Sequence, residues 1–226
     1  MVTLTVQSLI RQKILAIFIV NLLIMMLLLL SGCATTPSYS TTQVQSINLE
    51  PQALETDGIA FITPTTITGQ EEDKQALALV FTETLKQARP NLRIISLPAT
   101  LGVISREGLA NEYKRMFEDY LLTGIFNQDT LKKISHLTGV RYLAQLKLVG
   151  FNQLSQDRWG FLGLSLVKTE ITSLRLYLQI WDGESGTIAW EGSQELTLSR
   201  DTTKEAPVSF QNAVERSAAE LLVRLP

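Results

Sequence analysis

The chain has 226 residues, with 20 Lys and Arg against 22 Asp and Glu, one His and one Cys. That slight acidic excess argues against a nucleic-acid-binding surface, which is basic. A lone Cys excludes an internal disulfide, and one Cys with one His is too few for an ordinary zinc site. No metal and no cofactor are therefore expected.

An apolar run of 17 residues, Ile14 to Leu30, is broken only by Asn21 and preceded by Arg11 and Lys13 with no acid. A basic start, an apolar middle and small residues before a cut describe a secretory signal peptide. The other reading is an uncleaved anchor, since 17 residues is at the short end of a bilayer span. Leu30-Ser31-Gly32-Cys33 follows, and it resembles the lipobox of bacterial lipoproteins at every position. That resemblance implies a diacylglyceryl thioether on Cys33, cleavage before it, and acylation of the new amino terminus. Ala34 after the Cys, rather than Asp, resembles lipoproteins released to the outer membrane. Losing Arg11 and Lys13 with residues 1–32 takes the 20 cations to 18 against an unchanged 22 acids, a balance of −4. With Cys33 lipidated, no thiol remains for catalysis.

Ala34 to about Asp57 is rich in Ser, Thr and Gln, so residues 33–44 read as a flexible tether. A single domain is expected over 45–226. Ile47 and Leu49 alternate with polar residues and suggest a docked extended segment or edge strand. Gly58 to Thr63 is a short apolar run ending at Pro64, a buried strand. Thr68 to Glu71 fits a capping box, with acids at the start of the helix. Leu77, Phe81, Leu85 and Ala88 line one face of that helix, which ends at Arg89-Pro90. Leu92 to Leu97 is a second strand. Either a parallel crossover or a hairpin-like arrangement fits this spacing.

Three helices follow: Pro98 to Arg106, Glu107 to Leu122, and Asn127 to Thr138 with Asn127 as cap and Gly139 as stop. Then the period changes to two. Val140 to Phe151 places Tyr142, Ala144, Leu146 and Leu148 on one face. Thr172 to Trp181 places Leu174, Leu176, Leu178 and Ile180 inward. Asp182 to Gly186 is a tight turn, and the chain returns to Leu198 as an antiparallel meander. A last helix, Pro207 to Leu222, carries Phe210, Val214, Ala218 and Leu221. This order predicts an α+β fold: one mixed, mainly antiparallel sheet with helices packed mostly on one face.

Leu137-Thr138-Gly139-Val140-Arg141-Tyr142-Leu143 is similar to the helix-stop-strand junction of the curli-channel (CsgG-like) and TolB amino-terminal families. Asp182, Gly186, Ile188 and Trp190 resemble the D-x-x-x-G-x-I-x-W hairpin of that group, whose general fold the penicillin-binding-protein activator lipoprotein (LpoB) shares. Gln145 stands where the group often has Gly, and the alternation shows no pair of long hairpins of the kind a secretion pore inserts. The resemblance implies a non-catalytic envelope domain that binds protein partners. It would be held to the membrane by the Cys33 lipid, with protein partners or further copies of itself as the expected contacts.

For catalysis the candidates are sparse. His136 sits on a helix beside a core Leu, with no nucleophile elbow near. A cell-wall glycosidase needs two acids across a cleft. Glu118 with Asp119, and Asp182 with Glu184, are adjacent in sequence only, and read more simply as a solvated helix face and a turn. Gly69 lacks the Lys and Ser or Thr of a phosphate loop. No catalytic residue is assigned. Arg158-Trp159-Gly160-Phe161-Leu162-Gly163-Leu164 joins two strands and is either folded on the core or an exposed patch; Trp159, Phe161 and Leu162 are the candidate partner-binding residues. The expected role is an outer-membrane, periplasm-facing interaction or assembly factor. The alternatives are a periplasmic hydrolase or a subunit of a ring-forming export complex.

Overall fold

The computed structural model describes residues 17, 19–22, 38–161, 164–202 and 208–226, with backbone alone for 156–161, 164–168 and 200–202. The chain divides into two units, Met1–Thr35 and Thr36–Pro226. In the first, the described residues 17 and 19–22 are helical. Cys33 and Leu162 lie outside the described residues, as does most of the apolar run. Among the described residues, no helix is long and apolar enough to cross a membrane.

The second unit runs β1 (Tyr39–Ser46), α1 (Ala53–Asp57), β2 (Ile59–Phe61), β3 (Thr65–Thr66), α2 (Glu71–Ala88) and β4 (Ile94–Ile95). It continues with α3 (Leu97–Arg106), α4 (Ala110–Thr123), α5 (Gln128–Thr138), β5 (Tyr142–Phe161), β6 (Leu164–Asp182), β7 (Ile188–Thr202) and α6 (Phe210–Leu222). One sheet has the order β1-β7-β6-β5-β2-β4, with β3 also pairing β5. β5, β6, β7 and β1 are antiparallel neighbours, and β2 lies parallel to both β4 and β5. The fold is the expected α+β, with a mixed and mainly antiparallel sheet. The β2–α2–β4 unit is the parallel crossover rather than the hairpin-like arrangement.

Both faces of the sheet carry helices. On one face Ile59, Phe61, Tyr142, Ala144, Leu146, Leu176, Leu178, Ile180 and Trp190 meet Leu77, Phe81 and Leu85 of α2 and Val214, Ala218 and Leu221 of α6. On the other face Ala60, Ile62, Leu143 and Trp181 meet Ile104, Met116, Tyr120, Leu131 and Ile134 of α3, α4 and α5. The division follows from the pleat: neighbours in β2 and in early β5 point to opposite faces, and both members are apolar.

Helix boundaries have local causes. The Asn127 side chain accepts from the Thr130 amide at 3.0 Å, and Gly139 closes α5 in the left-handed region. The capping box at Thr68 is replaced by another arrangement. Gln70 is the N-cap, and the Thr68 hydroxyl accepts from the Gln70 amide at 3.2 Å while donating to the Asp73 carboxylate. The chain joins the sheet six residues before the expected boundary at Gln45, because Tyr39 to Ser46 pairs with Thr197 to Trp190.

Phe81 is fully buried and meets the Phe61 ring edge-on at 6.1 Å. Phe81→Ala should cost about 3–5 kcal/mol, seen as a lower denaturant midpoint with an unchanged slope.

Candidate functional site

The β5–β6 hairpin is longer than the alternation predicts, with strands of 20 and 19 residues. A bulge between Leu148 and Gly150 interrupts that alternation. Before the bulge, even-numbered residues face the α2–α6 core; after it, Phe151 takes that side, in contact with Phe210 at 5.2 Å. An extra residue reverses the parity, so the alternation cannot be read through it. Beyond Phe151, Asn152, Gln153, Leu154 and Ser155 are all exposed. The backbone ladder continues with no apolar face to announce it.

The register defines an arm. β7 stops at Thr202 opposite Lys168. Among the described residues, β5 and β6 pair alone past that point, through Trp159–Val167 and Gly160–Ser165 to Phe161–Leu164. Residues 158–161 and 164 are therefore strand, not a connection between strands, and Trp159 and Phe161 stand at the far end of β5. At the arm's root a cleft of about 320 Å³ is lined by Val149, Gly150, Asn152, Ser173, Arg175 and Glu195. Arg175 and Glu195 pair across it at 2.6 Å.

The opposite end of the sheet gathers the charges that sequence reading weighed for catalysis. Arg141 binds Asp182 at 2.8 Å and Asp57 at 3.5 Å. Lys132 and His136 both reach Glu184, at 3.0 and 3.1 Å. Burial alone would raise the Asp182 carboxyl. The Arg141 guanidinium and the Glu184 and Ser185 amides outweigh it and hold that carboxyl below its ordinary value. Asp182 and Glu184 are thus each paired with cations, and Glu118 pairs with Lys114 at 3.6 Å on an exposed helix face. Among the described residues no cluster of His, Cys, Asp and Glu could hold a metal.

The turn after Asp182 is fitted to α5. A Cβ on Gly183 would lie 2.5 Å from the Ser135 Cβ and 2.9 Å from the Arg141 carbonyl oxygen. Gly186 has a φ of 70° and packs against Gln128. The Asp, Gly, Ile and Trp pattern here is a structural clasp. Sequence reading missed Arg141 as its hub, because the partners Asp57 and Asp182 are distant in the chain.

Tyr120 of α4 is buried in the second core. Its ring stacks on Phe126 at 4.0 Å, its hydroxyl donates to Gln179 at 3.0 Å, and the Lys147 ammonium lies 4.8 Å from its centroid. Burial raises the Tyr120 hydroxyl and lowers the Lys147 ammonium from their ordinary values. Gln145, pointing to this side, is fully buried.

No protein-family model matches the chain, and no curated protein matches its sequence. Among solved structures, it is similar to the PelC dodecamer from Paraburkholderia phytofirmans, at 11% identity over 81% of this chain and 95% of that one, with a TM-score of 0.44. It is also similar to the lipoprotein GNA1162 from Neisseria meningitidis, at 10% identity over 74% and 96%, with a TM-score of 0.37. The LpoB C-terminal domain from Salmonella enterica matches at 14% identity over 62% and 82%, with a TM-score of 0.33. At these identities and TM-scores the likenesses are loose.

The Asp182 pairing sets a pH dependence. A depressed folded pKa contributes stability that is complete above the ordinary value of 3.8 and is lost as pH falls through the lower folded value. Asp182→Asn should therefore lie furthest below the wild type near neutral pH, and the gap should close in acid. Urea melts from pH 7 down to pH 2.5 check this; a gap constant with pH would assign the loss to packing instead.

Proposed function

We propose that this chain is a bacterial envelope lipoprotein, anchored by lipid on Cys33 in the outer membrane, whose domain faces the periplasm as a non-catalytic interaction or assembly factor. The single observation that carries the reading is Leu30-Ser31-Gly32-Cys33 directly after an apolar run with a basic start. Only a thiol can form the thioether, and the sole Cys of the chain stands at the diagnostic position. Stable anchoring needs more than one acyl chain, because each buried methylene contributes only about 0.8 kcal/mol. The diacylglyceryl and amide-linked chains of a processed lipoprotein meet that need.

Two features of the described residues support an interaction role. Asp182 and Glu184, two of the acids weighed for catalysis, are engaged in ion pairs to Arg141 and Lys132 that join segments distant in the chain. The sheet also projects an arm whose terminal residues, Trp159 and Phe161 with Leu162 next in sequence, are the proposed contact residues. Interfaces draw disproportionately on such aromatic side chains. A periplasmic domain held on one leaflet can meet partners there, including other copies of itself.

Intact-mass analysis of the protein purified from membranes tests the anchor. The wild type should begin at Cys33 and carry one diacylglyceryl group and one further acyl chain. Cys33→Ser should retain residues 1–32 and remain membrane-bound through them. A Cys33→Ser chain cut normally before residue 33 refutes the assignment.

A further inference from the structure

The two edges of the sheet are finished differently. β4 closes one side with two residues, while β1 closes the other with eight, paired to β7 without a bulge. Among the described residues no strand lies outside β1. Soluble proteins blunt a long edge with Lys, Pro, a bulge or an inward charge. β1 has none of these: no charged residue occurs from Ala34 to Leu49, and Pro37 and Pro51 lie outside the strand.

The edge is also held ready. The Ser40 hydroxyl donates to the Glu220 carboxylate of α6. The Gln194 side-chain amide of β7 donates to Ser40 at 2.7 Å and to Glu220 at 2.8 Å. A strand fixed in this way loses little freedom when something pairs with it.

The register with β7 says which backbone groups are free. The Ile47 amide donates to the Ala189 carbonyl at 3.0 Å, which continues the ladder that sets Tyr39 opposite Thr197 and Ser46 opposite Trp190. Hydrogen-bonded and non-hydrogen-bonded pairs alternate along an antiparallel ladder. The odd-numbered residues of β1 therefore direct their amides and carbonyls to β7. Ser40, Thr42, Val44 and Ser46 direct theirs outward.

A second copy of the same strand matches these groups. A two-fold contact places residue i opposite j and j opposite i. With the axis at Gln43, antiparallel β1 strands set Ser40 opposite Ser46 and Thr42 opposite Val44, so every outward residue meets an outward residue. The odd-numbered side chains then pair Thr41 with Gln45, Gln43 with itself, and Tyr39 with Ile47. Tyr39 and Ile47 are 69% and 49% exposed. An aromatic side chain beside a β-branched one at a non-hydrogen-bonded position is a favourable cross-strand pair. Moving the axis to Thr42 sets Ser46 opposite Ser38, and moving it to Val44 sets Ser40 opposite Asn48, whose amide is already bonded to Ala189. Either shift also separates Tyr39 from Ile47. No charges oppose one another within the paired segment.

We propose that the β1 edge joins two copies of this chain, antiparallel about Gln43, into one continuous sheet. The proposal gives self-association a surface and a register, and it does not depend on a lipid at Cys33.

Disulfide trapping in the full-length chain tests it. Single cysteines are placed in Cys33→Ser, where the introduced thiol is the only one, and cell membranes are oxidised with copper phenanthroline and run on non-reducing gels. Gln43→Cys should run chiefly as a dimer, because facing residues at a non-hydrogen-bonded position have Cα atoms about 4.5 Å apart, within disulfide reach. Thr41→Cys alone should stay monomeric, since its two copies lie about four residues apart along the ladder, roughly 13 Å. Thr41→Cys combined with Gln45→Cys should restore the dimer. Val44→Pro removes an outward amide and no bond to β7, so added to Gln43→Cys it should abolish the dimer and leave the urea melt in place. If that variant folds poorly, the scan of positions decides by itself. A monomeric Gln43→Cys chain overturns the proposal, as does equal trapping at 41, 43 and 45. Capture of the Gln43→Cys thiol by a different protein overturns it too. Because Cys33 is absent from every variant, failure here leaves the anchor standing, and failure of the anchor leaves this result standing.

Discussion

β5 is the strand on which the rest of the structure depends, because it must pair on both edges at once. Its first residues lie parallel to β2, and its whole length lies antiparallel to β6. Tyr142, Leu143, Ala144, Gln145 and Leu146 are all buried, whichever face they point to. A strand covered on both faces and paired on both edges cannot slip without moving every side chain to the wrong face. That constraint fixes the register of β6, and β6 fixes β7 and β1 in turn.

The same strand changes character at its bulge. Before Val149, apolar side chains on two faces hold it between helices. After Phe151, the ladder to β6 is what continues. One strand therefore serves as core and as projection, and the single extra residue marks the change. The glycine at 150 has nothing within 4 Å of its would-be Cβ, so the bend faces open space. The apolar residues Trp159, Phe161 and Leu164 stand on a strand ladder rather than on a loop, so strand pairing sets where their backbone lies.

The charged end performs a different task. Arg141 leaves the α5–β5 junction and meets carboxylates from the α1–β2 connection and the β6–β7 turn. Three segments remote in sequence are joined by one guanidinium, which presents its donors in a fixed planar fork. Glycines at 183 and 186 let the turn approach α5 closely enough for this. Residues that look catalytic in a list of acids are here the clasp of the fold.

Where the cause was local, the sequence was a good guide. Asn127 and Gly139 announce α5 because capping acts within four residues; of the apolar residues at Leu131, Ile134 and Leu137 the first two are buried, while Leu137 is exposed. The face assignments of Tyr142 to Leu148 and Leu174 to Ile180 follow from the pleat and hold in the structure. The capping box expected at Thr68 does not form because the Thr68 hydroxyl accepts from the Gln70 amide, in place of Glu71, and donates to Asp73. β1 overlaps the expected tether because Tyr-Ser-Thr-Thr-Gln-Val-Gln-Ser has no buried face; its order comes from pairing with β7, about 150 residues later. The arm was hidden for the same reason, with the bulge erasing what alternation remained. The sequence by itself determined the candidate anchor at Cys33, the helices α2 to α6 and the turn at Asp182, all set by neighbouring residues; α1 was not legible in it. Only the tertiary structure decided that Trp159 and Phe161 stand at the end of a ladder, and that β1 is an edge of the sheet. Backbone pairing between distant strands leaves no mark on the residues that make it.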